Sequence, residues 1–310
     1  MSTPIVIAGK KMGRIRAGVL LFKETFRFLR ADAEMLWIPI IALVLELFLF
    51  GFIAIVLESS GFLAAFQNEG AVPALQGYLL LGIGYLVSAF VLACTQATIA
   101  HIVYVRAHGG NATLGEGVDT VLRNWSALLL WSAITSTVGI ILQMFSDRSQ
   151  FLGRMFAAFM GAVWSVLTYF VVPSIIIGKR PVFAAIEDSG AVFKRTWGET
   201  LVTNVSFSVV FLFVFVIYVV TLVGLVFVLG KSFFSVILSL SLLGVGVIMM
   251  MIVSSVLGGV LRTVLYMYAS EGTVPQNFNK ELLEQMLARK GVSTSMSGAG
   301  TLHAIDNKGV

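Results

Sequence analysis

Six stretches of the chain are each long and apolar enough to cross a bilayer: about Leu36–Leu57, Tyr78–Tyr104, Trp125–Phe145, Phe156–Ile177, Leu201–Leu229 and Phe233–Leu261. A spanning helix needs roughly 20 mostly apolar residues to cover a hydrocarbon core about 30 Å thick. Hydrocarbon offers the backbone no water to bond, so segments of this kind must close their own hydrogen bonds as helices. Composition removes the alternative. Only 12% of the 310 residues are charged and 58% are hydrophobic, whereas soluble domains are about 25% charged. A water-soluble globule of this length could not hide so much apolar side chain.

The expected fold is therefore all-α, a polytopic bundle of six transmembrane helices. Gly230, Lys231 and Ser232 alone separate the fifth span from the sixth, and the two fused would be too long for one crossing. Residues 1–11 read as a flexible N-terminus. Residues 12–290 read as the membrane domain, closing with a short amphipathic helix. Residues 291–310, rich in Gly, Ser and Thr, read as a disordered tail.

Lysine and arginine set the expected orientation, because they accumulate on the cytoplasmic side of spanning helices. Lys10, Lys11, Arg14, Arg16, Lys23, Arg27 and Arg30 precede the first span. Arg106 and Arg123 lie between the second and third spans, and Lys179, Arg180, Lys194 and Arg195 between the fourth and fifth. Arg262, Lys280, Arg289, Lys290 and Lys308 follow the sixth. Of the 21 Lys and Arg, only Arg148, Arg154 and Lys231 fall on the other side. Both termini are thus expected in the cytoplasm. The run Ile5–Ala8 is too short for a signal-peptide core, so the first span is expected to act as an uncleaved anchor.

Each cytoplasmic segment before an odd-numbered span has the pattern of an amphipathic surface helix, which suggests a unit of surface helix plus hairpin repeated three times. In the first, Arg16, Lys23, Arg27 and Arg30 share a stripe beside Ile15, Val19, Phe22, Phe26 and Leu29. In the second, Thr113 and Glu116 have capping-box spacing ahead of Leu114, Val118, Val121 and Leu122. In the third, Pro181 suits the first helical turn, and Val182, Ala185, Ile186 and Phe193 oppose Glu187, Asp188, Lys194 and Arg195. Arg123-Asn124-Trp125 and Arg195-Thr196-Trp197 end the last two, with an indole at headgroup depth. Arg16, Lys23, Arg27, Arg30, Arg123, Trp125, Arg195 and Trp197 are the candidate contacts to anionic lipid headgroups.

The same residues carry a family resemblance. Met12-Gly13-Arg14-Ile15, Phe26-Arg27-Phe28-Leu29-Arg30-Ala31-Asp32, Thr113-Leu114-Gly115-Glu116-Gly117, Thr168-Tyr169-Phe170-Val171-Val172-Pro173 and Phe193-Lys194-Arg195-Thr196-Trp197-Gly198-Glu199 resemble a prokaryotic membrane family, domain of unknown function 6159. Leu265-Tyr266-Met267-Tyr268-Ala269, with Gly272, Pro275 and Phe278, resembles its closing motif. The likeness covers about Met12–Leu287. It implies a six-helix protein of the prokaryotic cytoplasmic membrane, and no chemistry.

Polar residues inside the spans are the other candidates. Glu46 is the acidic residue deep in a span, where a carboxylate must be protonated, paired or functional. Cys94, Thr95, Gln96, Thr98 and His101 make the second span unusually polar. Gly84 with Ser88, and Ala93 with Ala97, are small pairs that let helices approach closely. Glu46, Gln96 and His101 form the candidate intramembrane site. Helix contact is the favoured role for each, and a lining for a polar path the alternative. Pro173 in the fourth span and Gly258-Gly259 in the sixth mark expected irregularities.

Catalytic signals are absent from the sequence. Gly82 and Gly84 sit mid-span with no preceding strand, His101 has no second ligand at helical spacing, and Cys94 is alone. No enzyme activity, cofactor or metal is expected. Partners are expected to be membrane lipids, with a second copy or another membrane subunit as alternatives, and not nucleic acid. Two roles remain: a non-enzymatic scaffold or accessory subunit, which the sequence favours, and a small-solute or lipid transporter. The transporter requires one cavity that joins Glu46 to Gln96 or His101.

Overall fold

The computed structural model describes residues 5–7, 10–12, 14–62, 64, 75–148, 152–230 and 232–273, with side chains left aside before Leu20, over 197–207 and at a few single positions. The expected C-terminal amphipathic helix and tail, with Pro275 and Phe278, lie outside the described residues. Helices dominate: α1 (Arg14–Ala31), α2 (Trp37–Ser59), α3 (Leu75–Ala107), α4 (Leu114–Arg123), α5 (Trp125–Arg148), α6 (Leu152–Leu167), α7 (Val171–Ile176), α8 (Val182–Val228) and α9 (Phe233–Glu271). Ile5–Ile7 and Lys10–Met12, mostly within the stretch expected to be flexible, pair as a small antiparallel ribbon.

Six helical stretches are long and apolar enough to cross a membrane: Ala33–Ser59, Leu79–Ala107, Trp125–Ser146, Leu152–Ile176, Ser208–Val228 and Phe233–Glu271. Their outward faces are bare hydrocarbon. Phe48, Ile55, Phe213 and Phe233 are 74%, 70%, 67% and 83% exposed. Soluble proteins leave apolar patches of at most a few hundred Å² in water, so a surface like this calls for lipid.

The helix α3 is the hub, packing on α2, α4, α5, α7 and α9. Small residues make this possible. A Cβ on Gly84 would sit 2.5 Å from Ile53 Cδ1 of α2, and one on Gly259 of α9 would sit 2.9 Å from Ile99 Cγ2 of α3. Ala93 and Ala97 are both buried, so the small pairs expected in the second span do serve close packing. The apolar face of α1 lies against α8 and α9: Phe28 and Leu29 are core residues, and the Phe22 ring meets Phe211 edge-on at 6.0 Å.

Local signals explain most helix ends. Thr113 Oγ1 accepts from the Glu116 N–H at 3.3 Å and Glu116 Oε2 accepts from the Thr113 N–H at 3.4 Å, so α4 opens on the expected capping box. Ser232 caps α9, accepting from the Ser235 N–H at 3.2 Å, and left-handed Gly272 ends it.

One expectation needs correction. The third surface helix is not separate: it runs straight into the fifth span as α8, 47 residues long. No glycine or proline interrupts that junction between Trp197 and Ser208 except Gly198, so nothing obliges the helix to stop. The fourth span, by contrast, is broken. The helix stops at Leu167, Thr168–Phe170 form a turn, and Val171–Ile176 resume. The Phe170 N–H leaves the helical ladder and donates instead to Ser189 Oγ of α8 at 2.9 Å. Pro173 falls in the first turn of α7, where helical N–H groups lack intrahelical partners and proline costs little.

Candidate functional site

The polar side chains of the second span reach two different neighbours. Towards α2, Ser88 Oγ donates to Glu46 Oε2 at 2.7 Å. The contact exists because Gly84, one turn away, brings the helices together. Glu46 thus has the hydrogen-bond partner that its position demands. About 12 Å further along α3, at about 1.5 Å per residue, Gln96 Oε1 accepts a hydrogen bond from Arg262 Nη1 of α9. The guanidinium of Arg262 also stands over the Tyr169 ring, 4.6 Å from its centroid, an attractive cation–π arrangement.

Arg262 therefore lies within the long helix α9 rather than beyond its end, where its place after the apolar run Phe233–Leu261 suggested it would be. The helix continues for nine residues past it, and Val264, Leu265, Tyr266 and Met267 are all buried. Tyr169 owes its position to the broken fourth span, since it lies in the turn between α6 and α7.

Glu46, Ser88, Gln96, Thr135, Tyr169 and Arg262 line one cavity of about 1420 Å³. Its remaining wall is largely apolar and includes Leu81, Trp131, Trp164, Phe193 and Phe211. Trp131 and Trp164 stack with ring centroids 6.1 Å apart. Two lining residues carry buried polar atoms with no hydrogen-bond partner among the described residues, Arg262 Nε and Thr135 Oγ1. The structure thus brings Glu46 and Gln96 together in one space. His101 is not among its lining residues; it stands half-buried within electrostatic reach of Glu116 and Arg123.

Two further polar clusters lie near this cavity. Asp188, expected on the outward face of the third surface helix, turns inward: Ser174 Oγ donates to it at 2.6 Å and Tyr266 Oη at 3.0 Å. It ties α7, α8 and α9 at one point. Asp32, 6% exposed, pairs with Arg106 Nε at 2.6 Å and joins the end of α1 to the end of α3. Burial pushes the Asp32 carboxyl above its ordinary range, and Arg106 pulls it back only in part.

The cationic and aromatic headgroup candidates are on the surface where described. Lys23, Arg27, Arg30, Arg123, Trp125 and Arg195 are exposed. Arg27 pairs with Glu24 at 2.8 Å, and Arg30 lies over the Phe26 ring at 4.9 Å. The side chains of Arg16 and Trp197 lie outside the described residues.

Sequence reasoning found Glu46 and Gln96 and missed Arg262, Tyr169 and Thr135. The available signal for Arg262 was the apolar run that resumes after it, Val264-Leu265-Tyr266-Met267. Residues 75–276 match the family of unknown function DUF6159, so the chain belongs to that family. The match is narrower than the Met12–Leu287 that the motifs implied, and it begins at α3, leaving α1 and the span of Glu46 before it. No curated protein matches the chain.

Proposed function

We propose that this chain is a multi-pass protein of the prokaryotic cytoplasmic membrane that binds a small solute or lipid between its spans and moves it: a transporter or permease acting without covalent chemistry. The carrying observation is the single cavity that holds Glu46, Ser88, Gln96 and Arg262. Charged and amide groups between spanning helices are costly, and their common use is to meet a polar ligand on its path. The broken fourth span supports the same reading, because transporters expose unwound backbone only where it borders a cavity. The cation-rich connections favour cytoplasmic termini, with exposed Lys23, Arg30 and Arg195 meeting anionic headgroups.

Accessibility tests this without knowing the ligand. In a Cys94→Ala background, Thr135→Cys should react with a membrane-impermeant thiol reagent from at least one face of the membrane in proteoliposomes. Cysteine at lipid-facing Phe213 should not. If Thr135→Cys is as inert as that control from both faces, the cavity is sealed and the transporter reading fails. The scaffold or accessory-subunit reading would then stand, with the chain's partners being lipids, a second copy or another membrane subunit.

A further inference from the structure

We infer that the cavity takes a membrane-borne anionic amphiphile, a carboxylate or phosphate headgroup on a hydrocarbon chain, with the headgroup on Arg262 and the chain leading out between α8 and α9. This rests on the ligand-binding reading above and adds the class of ligand and its orientation.

The charge argument comes first. Arginine side chains stay protonated in proteins, and Arg262 is only partly exposed with its Nε buried, where a counter-charge is favourable. Arg262 is met by an amide oxygen and an aromatic face, both neutral. The lining carboxylate among the described residues is Glu46 of α2, which is engaged by Ser88, a residue eight positions and about 12 Å along α3 from the Gln96 that meets Arg262. Arg262 Nε has no partner among the described residues. A guanidinium presents its donors as a planar fork that fits two oxygens of one carboxylate or phosphate, so an anion completes this site and a neutral polar group does not.

Shape gives the rest of the ligand. A bare inorganic anion would leave most of a cavity of about 1420 Å³ unused. The wall is mostly apolar, with Ser208 and Ser254 on the α8 and α9 side, and at Phe211 and Ser254 the cavity meets a groove lined by Phe215, Met250 and Met251 of α8 and α9. Met251 is 67% exposed on the outward face, which places the mouth of the groove against lipid. A headgroup at Arg262 with its chain in this groove exchanges with the bilayer sideways.

Trp131 and Trp164 border the cavity and report on it. The probe is dibrominated stearate, whose bromines quench indole fluorescence on contact, added to the protein in phosphatidylcholine nanodiscs. The component of quenching lost in the Trp131→Phe/Trp164→Phe double variant isolates the cavity from lipid-facing indoles. That component should saturate for the acid, at about tenfold lower concentration than for its methyl ester. Plain stearate should compete it away, and butyrate or inorganic phosphate should not. Arg262→Met should remove the preference for the acid, and Arg262→Lys, which keeps the charge, should retain most of it. Equal quenching by acid and ester would show a cavity that binds amphiphiles without selecting anions, overturning this inference while leaving the ligand-binding reading intact. Competition by phosphate alone would assign a soluble anion and overturn it too. No cavity-specific quenching by either probe would overturn both.

Discussion

Two arginines lie against the inner faces of this bundle, and their surroundings differ in a way that separates structure from function. Arg106 reaches a carboxylate at 2.6 Å, and its partner Asp32 is 6% exposed. The pair, with Arg106 27% exposed, joins the end of α1 to the end of α3. Arg262, on the neighbouring α9, meets Gln96 and Tyr169 among the described residues and faces a cavity. Among the described residues, then, one guanidinium has a carboxylate partner and the other does not. The first belongs to the fold.

The contrast can be broken most easily by truncation. Arg106→Ala strands a buried carboxylate, and removing one member of a buried pair costs about 3–5 kcal/mol. A large fall in the thermal midpoint, followed by detergent gel filtration, is expected, and Asp32→Leu added to an Arg106→Leu variant should recover much of it. Arg262→Met should shift stability by no more than about 1 kcal/mol in either direction, since it removes a charge the fold does not balance. A loss as large as that of Arg106→Ala would make Arg262 structural and erase the distinction. Glu46→Gln is expected to change stability by about 0.5 kcal/mol, because the amide oxygen can still accept from Ser88; a collapse of the fold would mean that Glu46 holds a charge pairing not visible in this arrangement.

The smallest effect is a pH dependence. The Asp32 carboxyl is raised above 3.8 chiefly by burial, against the opposing pull of Arg106. A raised carboxyl adds stability that is complete below its unfolded value and fades as pH climbs through the folded one. The stability advantage of the native chain over Asp32→Asn should therefore shrink as pH rises from about 4. An advantage that grows over that range would mean that Arg106 outweighs burial and that the carboxyl is depressed.

Much of this fold was legible because bilayer thickness sets a length that a sequence can be counted against. Six apolar runs gave six spans, and the Thr113–Glu116 spacing gave the start of α4. What counting cannot give is depth relative to neighbours. Arg262 ends an apolar run, so it read as lying beyond the helix; α9 continues with Leu265 and Tyr266 in one core with Phe28 and Leu29 of α1 and Ile99 and Ile102 of α3. The break at Thr168–Phe170 was equally hidden, because it depends on Ser189, nineteen positions later, offering Phe170 a hydrogen-bond acceptor. Pro173 hinted at an irregularity there but not at its place. Glu46 was found from its charge alone, and Ser88 was noted only as a small residue.

The most direct test of the account is a structure of the full chain in nanodiscs made from its native lipids, with density examined at Arg262. The account predicts elongated density that begins within hydrogen-bonding distance of the guanidinium and runs past Phe211 towards the groove between α8 and α9. A cavity closed by its own side chains, with Arg262 bonded to a carboxylate of the protein, would contradict it.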